Sequence, residues 1–311
     1  MASLRSMRLR MRSVKSISQV TRALEAMSAS RVVKAQQAAL ATRPYASKAY
    51  EVLHHLAAQP GSAVGSNSLL QQRDVVKNIL VVLVTSNRGL CGAYNTNIVR
   101  AAMNFVRAQT APVEFITVGN KGRELVVRLR QNLIGDFANL PPLPAFLDTL
   151  PIGRLVIEEF LSGRVDEVAI AYTDYVNMLR QEPKVEQLLP LHLERRIAMG
   201  GALPDGAQER RHPHLEEGPA RVYTYEPSQK DIVNIMVPRL VEIQIYQAIL
   251  ESLASEHSAR MVAMRSATDN ANELMTTLQL TYNKARQLSI TSDLLDIVGG
   301  VNALAQSEGQ Q

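Results

Sequence analysis

Two hydrophobic rhythms divide this 311-residue chain: three-four spacing at both ends, and short unbroken apolar runs in the middle. Near the start, Leu4, Met7, Met11, Val14, Ile17, Val20, Leu24 and Met27 form one stripe of an amphipathic helix. The pattern continues to about residue 58, its stripe changing from Leu and Met to Ala and Ser. No clear breaker precedes Pro44, so the spacing predicts one long helix, bent near that proline. From Ser3 to Leu56 such a helix would be about 80 Å long, wider than a small domain, and would need support along its length. At the other end, Pro238 suits a first helical residue, and neither proline nor glycine follows until Gly299. Leu250, Leu253, Met261, Met264, Ala267, Ala271, Leu274, Leu278, Ala285 and Leu288 keep a coiled-coil-like rhythm, and Gly299-Gly300 is the expected stop. Two arrangements fit: an antiparallel coiled coil of the chain ends, or two separate amphipathic helices on a globular core. Periodicity alone does not choose a partner.

The middle follows another pattern. Strands are predicted at Asn78 to Thr85, Val113 to Val118 and Glu167 to Tyr172, with a weaker one at Lys184 to Pro190. Helices are predicted at Thr96 to Ala108, Lys121 to Arg130 and Ile152 to Ser162. This order is a βαβαβ unit with a mainly parallel, Rossmann-like sheet. Residues 192–221 carry Gly, Pro and charge without periodicity and read as a flexible insertion. The resulting division is an N-terminal helix (1–58), a polar linker (59–75), an α/β domain (76–227), a C-terminal helix (228–300) and a tail (301–311).

Composition sharpens this picture. Aromatics make up 5% of the chain and Trp is absent, as suits long helices with narrow seams. No apolar run approaches the roughly 20 residues of a membrane span, so direct insertion is not expected. Cys91 is the only cysteine, which excludes an internal disulfide and a cysteine-based zinc cluster. The net charge of +5 is concentrated: within residues 1–50, ten Arg and Lys face one acid, Glu25. By composition that start also fits an organelle transit peptide. It would equally suit a nucleic-acid-docking surface, although residues 1–44 contain no aromatic for stacking.

Candidate chemistry is sparse. The segment TSNRGLCGAYNTN, residues 85–97, follows an apolar strand where many enzymes cradle phosphate. Its Gly89 and Gly92 satisfy neither the dinucleotide G-x-G-x-x-G spacing nor the P-loop pattern, and VGNKGRE at 118–124 is also incomplete. Tight turns in an α/β domain are the plainer reading. Adjacent His54 and His55 face different ways on a helix. His212 and His214 lack an ordered third ligand, and Glu158-Glu159 and Glu216-Glu217 read as solvated pairs. Cys91 reads as small core filler, since no base stands near it in sequence. No cofactor or metal is expected.

TSNRGLCGAYNTN resembles the signature of the gamma subunit of F-type ATP synthases. SVKSISQVTRALEAMSASRVVKAQ near the start and ASEHSARMVAMRSATDNANELMTTLQLTYNKARQLSITSDLLDIVGG near the end match the same family, in the same order. The resemblance implies a central rotor shaft. Its terminal helices would form an antiparallel coiled coil inside a ring of three alpha and three beta subunits. The α/β domain, carrying the turn with Arg88, Gly89 and Gly92, would lie against the epsilon subunit and the membrane c-ring. Nucleotides in that family bind alpha and beta, so no catalytic site is expected in this chain. Because family-like sequence begins almost at Met1, the transit-peptide reading falls, and a peripheral position on the cytoplasmic side of a bacterial membrane is expected.

Residue by residue, Arg286, Gln287 and Thr291 match the polar positions that engage a beta-subunit catch, and Arg31 and Lys34 stand where cations approach an acidic lever loop. Departures are small: Leu288 replaces a common Ala, Asn87 a common Asp, and Asp293 and Asp296 the usual Glu. The 192–221 segment lies near a cysteine-bearing regulatory insertion of photosynthetic relatives but contains no cysteine, which excludes thiol regulation by that route.

Overall fold

A computed structural model of the chain describes residues 4–57, 67–73, 75–191, 226 and 228–308. In order, the elements are α1 (Leu4–Ala57), β1 (Ile79–Val84), α2 (Tyr94–Ala108), β2 (Val113–Val118), α3 (Asn120–Arg128), β3 (Asn132–Phe137), α4 (Phe146–Leu161), β4 (Glu167–Tyr175), β5 (Gln181–Leu189) and α5 (Gln229–Glu308). The chain separates into two compact units. One spans Ser28–Met261, and the other joins Met1–Met27 to Val262–Gln311.

The larger unit is a five-stranded sheet in the order β3-β2-β1-β4-β5. β1 runs parallel to β2 and β4, β2 runs parallel to β3, and β5 is antiparallel to β4. All six residues of β1 are buried. A central parallel strand is covered on both faces, which is why its sequence is an unbroken apolar run rather than an alternation. On one face Leu80, Val82 and Val84 join Ile116, Val118, Val168, Ile170 and Tyr172. They lie beneath α4 and this unit's parts of α1 and α5. On the other, Ile79, Val81 and Leu83 pack with Phe115, Ala169 and Ala171 against Ile98, Val99 and Ala102 of α2 and Val126 of α3.

In the smaller unit the two ends of the chain run antiparallel. Arg8 Nε donates to the Tyr282 hydroxyl at 2.7 Å, with its guanidinium 5.3 Å from that ring's centroid. Ser18 donates to Asn272 Oδ1 at 2.9 Å, and the Thr21 and Thr268 hydroxyls are 2.7 Å apart. From Arg8 to Ser18 the α1 number rises by as much as the α5 number falls from Tyr282 to Asn272, which fixes direction and register together. Of the two arrangements open from periodicity, this is the coiled coil.

Several expected boundaries move. β3 was not anticipated: NLIGDF is short, half-exposed and interrupted by Gly135, and it pairs only at the sheet edge. α4 begins before Ile152, and α5 begins at Gln229, ahead of Pro238 and next to the residue 228 where the C-terminal segment was divided off. Each proline costs a turn one backbone hydrogen bond, but burial compensates. Ahead of Pro238, Val233 and Val237 are fully buried, and ahead of Pro151, Phe146 meets Tyr246 edge-on at 5.6 Å. α1 passes through Pro44 without a break. α5 likewise continues through Gly299 and Gly300 to Glu308, past the expected stop and into the expected tail. A glycine costs a helix only about 1 kcal/mol, and Ala303, Leu304, Ala305, Gln306 and Glu308 are good helix formers. The predicted insertion at 192–221 and most of the predicted linker lie outside the described residues.

Candidate functional site

The turn after β1 is built by its own polar side chains. Ser86 Oγ donates to the Arg88 carbonyl at 2.7 Å, and Asn95 Oδ1 accepts the Ser86 amide at 3.1 Å. Leu90 (φ 63°) and Gly92 (φ 56°) take left-handed conformations that close the turn. Cys91 is buried, its sulfur 3.2 Å from Asn95 Nδ2, as a small packed side chain rather than an accessible nucleophile.

The second glycine turn locks onto the first. The amides that open a helix are the groups that bind phosphate in nucleotide folds. At α3 the chain itself occupies three of them. Asn120 N donates to Asn87 Oδ1 at 3.0 Å, Lys121 N to the Ser86 carbonyl at 3.0 Å, and Gly122 N to Thr85 Oγ1 at 2.8 Å. Gly119 (φ 103°) and Gly122 are needed for this contact: a Cβ would lie 2.3 Å from the Thr85 carbonyl oxygen at the former and 2.7 Å from Thr85 Oγ1 at the latter. A phosphate at this turn would have to displace these oxygens. The glycines serve approach of chain to chain.

α5 closes over the same end of the sheet. Tyr94 OH donates to the Ser252 carbonyl at 3.1 Å, the β4 amide of Thr173 donates to Ser252 Oγ, and Ser255 Oγ donates to the Thr173 carbonyl. One turn along, Arg260 gathers four partners. It bonds Glu256 Oε1 at 2.7 Å and His257 Nδ1 at 3.2 Å, and donates to the carbonyls of Arg88 at 3.3 Å and Gly89 at 3.2 Å. Burial, then the Arg260 and Arg31 guanidiniums, push the His257 imidazole down to about 4, so the ring is neutral and can accept from Arg260. Burial raises Glu256, against the pull of the same two cations. Burial, reinforced by the Glu256 charge, also raises the Tyr94 hydroxyl, which stays protonated as a donor.

Arg88, Gly89 and Gly92 therefore sit together in one turn, with the Arg88 and Gly89 carbonyls facing Arg260. Arg31 and Lys34 are exposed on α1, and Arg31 lies within electrostatic reach of Glu256 and His257. Arg286, Gln287 and Thr291 are exposed on α5, where Thr291 Oγ1 donates to the Gln287 carbonyl at 3.0 Å. They belong to the smaller unit, and Arg31 and Lys34 to the larger. Every residue from Arg286 to Gly299 is exposed, including Leu288, Ile290, Leu294, Leu295, Ile297 and Val298.

The expected solvated pair Glu158-Glu159 is corrected. Only Glu158 is exposed, whereas Glu159 is buried and paired with Arg164, which reaches back from the turn after α4. Sequence reasoning also missed Arg260, Glu256 and His257. Their spacing at i, i+1 and i+4 was visible, but the carbonyls they face come from a turn some 170 residues away. Among the described residues no group of three His, Cys, Asp or Glu is placed to hold a metal, and no helix is long and apolar enough to cross a membrane.

One unit is a doubly wound α/β domain packed with parts of both terminal helices, and in the other the chain ends pair as an antiparallel coiled coil. The family model described as ATP synthase matches residues 3–304. The chain is 47% identical over 305 residues to the ATP synthase gamma chain of Dehalococcoides mccartyi (strain CBDB1), covering 98% of this chain and 100% of that one. It is 44% identical over 311 residues to that of Roseiflexus castenholzii (strain DSM 13941 / HLO8), covering 98% and 100%. The fold is similar to a chain of the Euglena gracilis mitochondrial ATP synthase, OSCP/F1/c-ring, in rotational state 3. There the TM-score is 0.65 at 21% identity, covering 98% of this chain and 95% of that one. A chain of the Tetrahymena thermophila mitochondrial ATP synthase central stalk/c-ring gives 0.59 at 24%, covering 80% and 99%. The chain belongs to the ATP synthase gamma chain family.

Proposed function

We propose that this chain turns as a shaft inside a ring of three alpha and three beta subunits, with its α/β domain against epsilon and the c-ring, and that it has no catalytic site of its own. The observation that carries this reading is the exposed apolar stretch from Leu288 to Val298, in a chain related to gamma chains over nearly its whole length. An apolar surface of this extent on a narrow element calls for a covering partner, and a surrounding sleeve would supply one. Rotation then acts by differential contact. As the uneven side of the shaft passes each beta subunit, it favours one conformation there and shifts the equilibrium between open and closed sites.

In this mechanism Arg286, Gln287 and Thr291 engage the beta-subunit catch. Arg31 and Lys34, exposed on α1, approach the acidic lever loop. The complex carries protons or sodium ions and sits on the cytoplasmic side of a bacterial membrane, with this chain peripheral.

The test is the native mass and ATPase activity of the complex recovered through a tag on this chain from detergent-solubilised membranes. One copy with three copies each of two larger subunits, hydrolysing ATP, is the expected result. A lone chain, or one carrying nucleic acid, removes the reading. Replacing Arg286, Gln287 and Thr291 together by Ala lowers ATP-driven turnover in the assembled complex, and unchanged turnover removes their role.

A further inference from the structure

We propose that the rim where the strands of the α/β domain begin is a docking surface for an anionic lipid bilayer. The inference rests on the rotor reading above, which puts this domain against the membrane c-ring.

The topology gathers the rim from stretches that are distant in sequence. Ile79 at the start of β1 stands opposite Val113, its amide donating to the Pro112 carbonyl at 3.0 Å, and Glu114 of β2 stands opposite Asn132 at the start of β3. The residues ahead of β1 and the last turns of α2 and α3 therefore share one end of the sheet. It is the end away from the turn after β1 whose carbonyls face Arg260.

Four cations stand on this rim: Lys77 ahead of β1, Arg107 in the last turn of α2, Arg128 in the last turn of α3, and Arg130 just beyond it. All four are exposed, and none forms an ion pair among the described residues. The acids nearby are already engaged. Glu124 holds Lys121 at 2.6 Å, Glu114 accepts from Asn132 Nδ2 at 2.6 Å, and Asp166 accepts from Arg73 and from the amides of Lys77 and Asn78. Apolar side chains stand among the cations, with Val75 65%, Val127 58% and Leu129 44% exposed. A cation in the last turn of a helix is favoured by the macrodipole, which accounts for Arg107 and Arg128. It accounts neither for Lys77 and Arg130 nor for the exposed Val and Leu.

Arg130 carries the argument furthest. α3 ends in a Schellman motif: Gln131 N donates to the Val126 carbonyl at 3.1 Å, and Arg130 N to the Val127 carbonyl at 3.0 Å. Arg130 (φ 55°) thus occupies the left-handed position where glycine is usual. An arginine there is a poor choice for the backbone and a good one for keeping a charge at the tip. The two hydrogen bonds hold Leu129 and Arg130 in an ordered turn.

Cations interleaved with exposed aliphatic groups are the composition of surfaces that lie on anionic membranes, where charge meets the headgroups and apolar groups enter between them. A bilayer also suits a turning part. Its headgroups surround the rotation axis and move, so the contact needs no single register.

The test releases the soluble part of the complex from its membranes, recovers it through a tag on this chain, and titrates it at low and high salt with three kinds of vesicle: phosphatidylcholine alone, phosphatidylcholine with phosphatidylglycerol, and the mixed lipid carrying the c-ring. Recovery of a lone chain overturns the rotor reading, and the comparison of variants on that chain still decides the rim. The wild-type complex binds the protein-free anionic vesicles and not the neutral ones, and salt weakens the binding. Arg107→Gln, Arg128→Gln and Arg130→Gln together lower the affinity about a hundredfold, since each cation at an anionic surface contributes about fivefold. Val127→Ser with Leu129→Ser lowers it several-fold and keeps the wild-type salt dependence. Lys48→Gln, which removes a cation of the same unit outside the rim, leaves the affinity as in wild type. All these complexes hydrolyse ATP and melt as the wild type does, which separates docking from a structural role. Equal affinity of the wild type and the triple variant overturns the proposal. Binding confined to vesicles that carry the c-ring also overturns it, because the rim would then meet an acidic protein surface rather than lipid.

Discussion

The two units place side chains under opposite regimes. In the α/β unit the sheet is covered on both faces and β1 is buried along its whole length. In the paired chain ends, only Thr21, Met264, Thr268, Ala271 and Tyr282 are buried among the described residues, while Leu9, Ile17, Val20, Leu274 and Leu280 are exposed. Two helices cannot enclose a volume, so their seam relies on small groups and cross-helix hydrogen bonds. The same chain thus contains a domain stabilised from within and a helix pair much of whose apolar surface stays exposed.

The comparison breaks most visibly in the sheet. Phe115→Ala empties a fully buried site and costs about 3–5 kcal/mol, whereas Met264→Ala in the open helix pair costs less than about 2 kcal/mol because its neighbours can close in. Chemical denaturation of the full chain measures both, and equal costs would erase the contrast. Gly119→Ala comes next. It combines a left-handed backbone with a contact to the Thr85 carbonyl, and costs about 2 kcal/mol or more by the same measurement.

Acid sharpens the contrast further, through two titrating groups of the larger unit. Asp166 is opposed by burial, but Arg73 at 2.5 Å and the amides of Lys77 and Asn78 outweigh it and hold the carboxyl below its usual range. Its contribution is therefore present above the unfolded carboxylate pKa and lost as pH falls through the lower folded value. Asp166→Asn costs about 1–3 kcal/mol at neutral pH, and the gap to wild type narrows below about pH 4. His257 titrates in a separate window. Its folded value of about 4 lies below the unfolded value of about 6.5, so the unfolded chain binds more protons between them and stability falls as pH drops through that range. His257→Gln flattens this slope; an unchanged slope would mean that another group titrates there.

The smallest effect belongs to the helix pair. Thr21→Val with Thr268→Val removes both facing hydroxyls and leaves no donor stranded, and the melting of the chain changes by less than about 1 kcal/mol.

Much of this fold was legible because it is written in periods. The run Ile79 to Val84 announced a strand, and the three-four spacing of the termini announced two long helices. The locations of prolines and glycines misled, because Pro238 was read as a helix start and Gly299 as a stop by local preference, and the helix before Ile152 was missed. Tertiary burial overrode that preference at Pro151 and Pro238, and neighbouring helix formers carried α5 through Gly299. β3 was hidden by polarity at the sheet edge. Of the candidate residues, the 88–92 turn could be located from sequence, but its partner could not, since only the fold brings Arg260 to the Arg88 and Gly89 carbonyls. The exposed positions Arg286, Gln287 and Thr291 were found through family resemblance rather than pattern, because a solvated polar residue on a helix has no signature of its own.

The oxygens of Thr85, Ser86 and Asn87 that fill the α3 amides have a consequence for the cell. A fold often used to sense metabolites here carries its own permanent occupant at that turn, and local geometry set by covalently attached atoms does not vary with solute concentration. As solute composition changes, those three amides already have partners in their own chain.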